Sequence, residues 1–121
     1  MGWNQKRKAI NSKKCEFNGF KFDSQTEMSR YMELMMLVKI GDVRDLEVHP
    51  CIRIDVDGVH ICKYNPDFRY KNKLGETIVE DVKGNWKNKK AFHATTNWQI
   101  FRLKCKMLKA IYGIEVQVHY G

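Results

Sequence analysis

The sequence predicts an α/β fold, and three observations predict it. Two segments, one in each half of the chain, carry apolar residues at helical spacing between an N-capping sequence and a glycine stop. Between them lie short runs rich in β-branched and aromatic residues, broken by turn sequences such as Asp57-Gly58 and Asn72-Lys73-Leu74-Gly75. After the second helical segment, residues 114–119 alternate between apolar and polar side chains as a final strand. A length of 121 residues suits one domain with a single core.

In chain order, residues 1–14 read as a basic arm preceding the domain at 15–121. Asn18-Gly19, between Phe17 and Phe20, marks the tight turn of a short hairpin. The first helix is expected over residues 24–40. Ser24-Gln25-Thr26-Glu27 is a capping-box sequence, Gly41 is the stop, and Met28, Tyr31, Met35 and Val38 form the apolar stripe. Glu27 has two readings. As the third residue of the capping box it folds back onto the Ser24 amide; as the head of the apolar side it points inward over the sheet.

Three strands are expected next, at 43–48, 51–56 and 59–64, with Ile52, Ile54, Val56, Val59 and Ile61 on one apolar face. The segment 64–84, YNPDFRYKNKLGETIVEDVKG, then reads as a second hairpin. Taking Lys73, Leu74 and Gly75 as a three-residue loop with a left-handed Gly75 pairs Asn72 with Glu76. Counting back places Asp67 opposite Asp81, where two like charges with Cβ atoms about 5 Å apart repel unless a cation lies between them. Lys83, two residues beyond Asp81, shares its face, and Glu80 points to the other.

After Gly84 the run NWKNKKAFHA is basic with interleaved aromatics, a pattern that holds nucleic-acid backbones and stacks on bases; Lys87, Lys89 and Lys90 are its candidate contacts. A second helix is expected to start near Thr96, on the pattern Thr96-Asn97-Trp98-Gln99, and to stop at Gly113. Trp98, Phe101, Cys105, Leu108 and Tyr112 form its core stripe. Arg102, Lys106 and Lys109 share another face, which could track phosphates.

The net charge of +8 is uneven. Residues 1–14 carry five positive charges and no acid, residues 83–114 carry eight and no acid, and residues 15–82 carry nine basic and thirteen acidic side chains. An acidic middle flanked by basic segments suits a metal site between surfaces that grip a polyanion. Lys6, Arg7 and Lys8 of the arm join the candidate phosphate contacts. No apolar run approaches the roughly 20 residues of a membrane helix, and the basic N-terminus lacks the apolar core of a signal peptide. The expected location is cytoplasmic.

Cys15, Cys51, Cys62 and Cys105 form no CxxC pair and are expected as free thiols. His49-Pro50-Cys51 and His60-Ile61-Cys62 repeat an HxC pattern on strands that could pair across Asp57-Gly58. Alternation would put all four side chains on one face, as a zinc site needs, although Pro50 and the stagger of the pairing work against it.

Pro66-Asp67, a spacer and Asp81-Val82-Lys83 resemble the PD-(D/E)XK signature of the restriction-endonuclease-like nucleases. With FDSQTE opening a helix upstream, VEDVKG, and the basic segment after it, residues 17 to 118 resemble a phage-encoded family of small PD-(D/E)XK endonucleases similar to the phage junction-resolving endonuclease I group. The resemblance implies an αβββαβ core with a central mixed sheet flanked by helices. It also implies hydrolysis of DNA phosphodiesters with Mg²⁺ or Mn²⁺, held by Asp67, Asp81, Glu27 and the Val82 carbonyl, and a catalytic set of Glu27, Asp67, Asp81 and Lys83. Branched or Holliday-junction DNA is the implied substrate, the host cytoplasm the implied location, and a homodimer the implied working form. A sequence-specific or nicking endonuclease of restriction or transposase-end type, and a non-catalytic nucleic-acid-binding module, are the alternatives.

Overall fold

The computed structural model describes residues 15–84 and 94–120. A short hairpin, β1 (Cys15–Phe17) and β2 (Phe20–Phe22), precedes α1 (Gln25–Lys39). Four strands follow: β3 (Arg44–Val48), β4 (Ile52–Val56), β5 (Val59–Tyr64) and β6 (Phe68–Lys71). The chain closes with β7 (Thr77–Lys83), α2 (Thr96–Tyr112) and β8 (Val116–Tyr120). Strands β3, β6, β7 and β8 form a four-stranded sheet in that order, antiparallel except for the parallel pair β7–β8. Parallel neighbours need a long crossover connection, and α2 lies within this one. The expected α/β class and mixed sheet are therefore both present.

Each turn forms for a local reason. Asn18 and Gly19 both hold positive φ (58° and 84°), the requirement of the two-residue turn that matches strand twist. In the central hairpin Gly75 takes φ 81° and Asn72 pairs with Glu76 through a 3.0 Å backbone bond, so the register Phe68↔Glu80 follows as expected. The Asn72 side chain fixes this loop further, accepting from the amides of Leu74 and Glu76 at 3.0 and 2.9 Å.

Alternation along β6 and β7 divides the interior into two cores. Phe68 and Tyr70 join Phe22, Tyr31, Leu34 and Val43 beneath α1, while Val79 joins Ile52, Ile54, Tyr64, Phe101 and Leu108 beneath α2. The sheet thus lies between α1 on one face and α2 with the β4–β5 hairpin on the other. Between the two helical layers, Arg30 of α1 makes a bidentate ion pair with the buried Glu80, 2.7 Å on each arm, and Tyr70 donates its hydroxyl to the same carboxylate. Burial works against the charge on Glu80, but these donors hold its carboxyl below the usual range.

Three expectations are corrected. The cap of α2 is Thr95: its hydroxyl accepts from the Trp98 amide at 3.2 Å, and Thr96 is already helical. The apolar face of the β4–β5 hairpin is buried only at Ile52 and Ile54. Val56, Val59 and Ile61 are exposed, because a bulge pairs Ile54 with Cys62 and Asp55 with His60 and leaves Ile61 unmatched. The HxC residues do not gather. His49 turns toward Glu27, His60 Nδ1 lies 2.7 Å from Asp55 Oδ1, and Cys51 is exposed outside β4, so no zinc ligand set forms from His49, Cys51, His60 and Cys62.

Candidate metal centre

The candidate site lies where β6 begins and β7 ends. Asp67 immediately precedes β6, and its amide donates to the carbonyl of Glu80, the residue before Asp81 and the last of β7 to pair with β6, at 3.1 Å. Pro66, fully buried, fixes the approach of the chain to this point. Asp81 is 8% exposed and points to the α2 side. There Lys83 places its amine 3.4 Å from Asp81 Oδ2 and 4.2 Å from the centroid of the Phe101 ring.

Both carboxylates are oriented by donors on one oxygen. Asp67 Oδ2 accepts the Val82 amide at 2.6 Å. Asp81 Oδ2 accepts the buried Tyr64 hydroxyl at 2.9 Å as well as the Lys83 amine. Holding one oxygen in this way fixes the other, the arrangement by which outer partners orient a metal ligand. It is the Val82 amide, on the motif's middle residue, that makes the observed contact.

Burial pushes the Asp67 carboxyl up to about 7, with the neighbouring Glu27 acting in the same direction. Burial likewise pushes Asp81 up to about 7, helped by its hydrogen bond to Asp67 and the repulsion between them; the Lys83 amine opposes the shift. Burial and mutual proximity thus both act against a doubly charged pair.

Glu27 reaches this pair from the first turn of α1. The Ser24 hydroxyl accepts from the Glu27 amide at 3.1 Å, as a cap should. The Glu27 carboxylate, however, does not return to the Ser24 amide: Oε1 accepts from Asp23 at 3.1 Å, and Oε2 lies 3.5 Å from His49 Nε2. Of the two readings of Glu27 the inward-facing one is seen, whereas the return to the Ser24 amide is replaced by a bond from the Asp23 amide that ties down the helix entrance. One ligand atom each from Glu27, His49 and Asp67 lies within 4.8 Å of the others.

Four predicted residues therefore meet: Glu27, Asp67, Asp81 and Lys83. His49 is the site residue the sequence reading did not place there, having grouped it with the cysteines. Arg102 and Lys106 are exposed on α2, and Lys109, also exposed, pairs with Glu115 at 2.7 Å. Lys6, Arg7, Lys8, Lys87, Lys89 and Lys90 lie outside the described residues.

Carboxylates and imidazole are groups that divalent cations take as ligands. The ligand atoms of Glu27, His49 and Asp67 lie within one ion's reach of each other, and Asp81 stands outside that group, beside Asp67. Among the described residues no helix is long and apolar enough to cross a membrane. No curated protein and no solved structure gives a significant match to the chain. One family model does match, over residues 7–119, and the chain belongs to that family, described as protein of unknown function (DUF1064).

Proposed function

We propose that the protein is a metal-dependent DNA endonuclease of the PD-(D/E)XK type, acting on branched or junction DNA as a homodimer. The observation that carries this reading is the buried Asp67–Asp81 pair with the Lys83 amine beside it, at the open end of a central hairpin. The element order α1, β3, β6, β7, α2, β8, with β4–β5 as an added hairpin, supports it, since that order matches the αβββαβ core such enzymes share.

Asp67, Asp81 and Glu27 would hold Mg²⁺ or Mn²⁺, with the Val82 carbonyl as a further ligand. When bound, the ion lowers the pKa of water for attack and offsets charge on the scissile phosphate. The protein's own groups do the rest. Tyr64 and the Val82 amide keep the two aspartates turned toward the site. Lys83, propped by Asp81 and the face of Phe101, presents an ammonium that orients the attacking water and meets the negative charge of the transition state. Exposed Arg102 and Lys106 on α2 supply phosphate contacts.

A four-way junction is cut on two strands, and one chain carries one such set, so symmetric resolution calls for two chains about a two-fold axis. Incubating a supercoiled plasmid and a synthetic four-way junction with the protein tests the reading. Cleavage of the junction in Mg²⁺ but not in EDTA, by a species sedimenting as a dimer, is the expected result. Binding without cleavage in the presence of Mg²⁺ would leave a nucleic-acid-binding module.

A further inference from the structure

We propose that His49 is a metal ligand. With Glu27 and Asp67 it forms a mixed nitrogen and oxygen site that favours Mn²⁺ or Co²⁺ over Mg²⁺. The inference deepens the metal centre on which the nuclease reading rests, but it concerns which ion is held and not what is cleaved.

The placement of His49 is tied to that of Asp67. The His49 amide donates to the Asp67 carbonyl at 2.9 Å, and the Asn65 side chain donates to the Pro50 carbonyl at 3.3 Å, so the segments entering and leaving the sheet here are laced side by side. His49 itself holds φ 54°, in the left-handed region that non-glycine residues avoid. From this backbone the ring reaches the first turn of α1. One side of it packs on Phe22, with centroids 5.8 Å apart, and Nε2 is directed to Glu27 Oε2.

The ligand atoms of Glu27, His49 and Asp67 lie within 4.8 Å of one another, close enough for one ion to touch all three. Glu27 is almost fully buried while the His49 side chain is 41% exposed, so coordination positions remain on the solvent side for water or a phosphate oxygen. An imidazole is a poor partner for Mg²⁺, which takes oxygen, and a good one for later first-row ions. A site of oxygens alone would favour neither class so clearly. The nitrogen is therefore the discriminating donor.

Metal titration by calorimetry, with pulsed electron paramagnetic resonance of bound Mn²⁺, tests this on the full chain. The wild type should bind Mn²⁺ and Co²⁺ more tightly than Mg²⁺ and show ¹⁴N coupling to Mn²⁺. His49→Asn, which tolerates the left-handed backbone, and His49→Gly, which relaxes it, should each lose that coupling. Their Mn²⁺ affinity should fall about tenfold or more, the scale on which even the outer partners of ligands act. Mg²⁺ affinity should change little. Absence of ¹⁴N coupling in the wild type, or coupling and ion preference unchanged in both variants, overturns the proposal. The nuclease reading fails separately: nitrogen-ligated Mn²⁺ with no DNA cleavage sinks that reading and leaves this one standing, whereas cleavage by a protein lacking ¹⁴N coupling does the reverse.

Discussion

Asp67 and Asp81 flank the Phe68–Glu80 pair at the end of the β6–β7 hairpin, two neighbouring carboxyls in a site that buries Asp81 almost completely. Both carboxyls lie above the ordinary value of 3.8, at about 7, through burial and mutual proximity. Between those limits the folded chain binds more protons than the unfolded chain. The pair's contribution is therefore fully present below about pH 4 and is lost as pH rises through about 7. Glu47 and Glu80, whose carboxyls are lowered from 4.5, act below this window. The metal-free protein should thus melt at progressively lower temperature from pH 5 to pH 8. Mg²⁺ should raise the melting temperature more at pH 8 than at pH 5, since it binds the carboxylates in their deprotonated form. A thermal-melt series with and without EDTA reads this out, and Asp81→Asn should flatten the pH dependence.

The same repulsion predicts how catalysis and binding separate. Asp81→Asn removes one carboxylate and leaves the Tyr64 hydroxyl an amide oxygen to bond, so the fold should persist. Cleavage should fall by orders of magnitude, while DNA affinity stays equal or rises because a charge that repels phosphate is gone. Near-normal cleavage by Asp67→Asn or Asp81→Asn would remove both from the catalytic set.

Glu27→Gln separates structure from chemistry. The amide oxygen of glutamine can still accept from Asp23, so the helix entrance should lose about 1 kcal/mol or less. The oxygen facing His49 and Asp67 loses its charge, and activity should drop by orders of magnitude in a protein with a native circular-dichroism spectrum. Wild-type turnover would reduce Glu27 to a helix-entrance residue.

How much of this was legible depended on the range of the interaction. The Asp67–Asp81 apposition could be read because a single turn, with Gly75 left-handed and Asn72 bonding across it, sets a two-residue period for the whole hairpin. Glu27 was half legible: the cap was local, but the direction of its second oxygen depends on His49, which follows β3. His49 reaches the site only because β3 pairs with β6 and the chain then takes a positive φ, neither of which leaves a local trace. The exposed Val56, Val59 and Ile61 follow from a bulge that alternation cannot announce. Arg30 was likewise invisible as the partner of Glu80, fifty residues away in the chain.

That ion pair carries a prediction of its own. Glu80 is 2% exposed and Arg30 18%, and each arm of the pair is 2.7 Å long. Arg30→Met leaves a buried carboxylate with the Tyr70 hydroxyl alone, and breaking a buried pair in this way costs about 3–5 kcal/mol. Adding Glu80→Gln should recover part of that loss, since the orphaned charge is the larger penalty. Urea denaturation of the single and double variants measures it; an additive double variant would mean that the pair is not coupled.

The last prediction concerns how DNA is gripped. A protein that neutralises phosphates releases condensed counterions, so the logarithm of its affinity falls against the logarithm of salt with a slope of about 0.9 per phosphate contacted on duplex DNA. Arg102 and Lys106 are exposed one turn apart on α2, the helix whose Phe101 ring supports Lys83. Lys109, one turn further along, is matched by Glu115 and offers less charge to a phosphate. Arg102→Ala with Lys106→Ala should therefore reduce the slope by about two, and Lys109→Ala should reduce it by less than either single change. Lys87, Lys89 and Lys90, replaced together by alanine, should reduce it by about three if the basic segment after Gly84 lies along the DNA. These substitutions weaken binding alike on duplexes of different sequence, because phosphate contacts carry no preference for sequence. A slope unchanged by the α2 pair would turn that helix face away from the DNA and leave the segment after Gly84 as the principal grip.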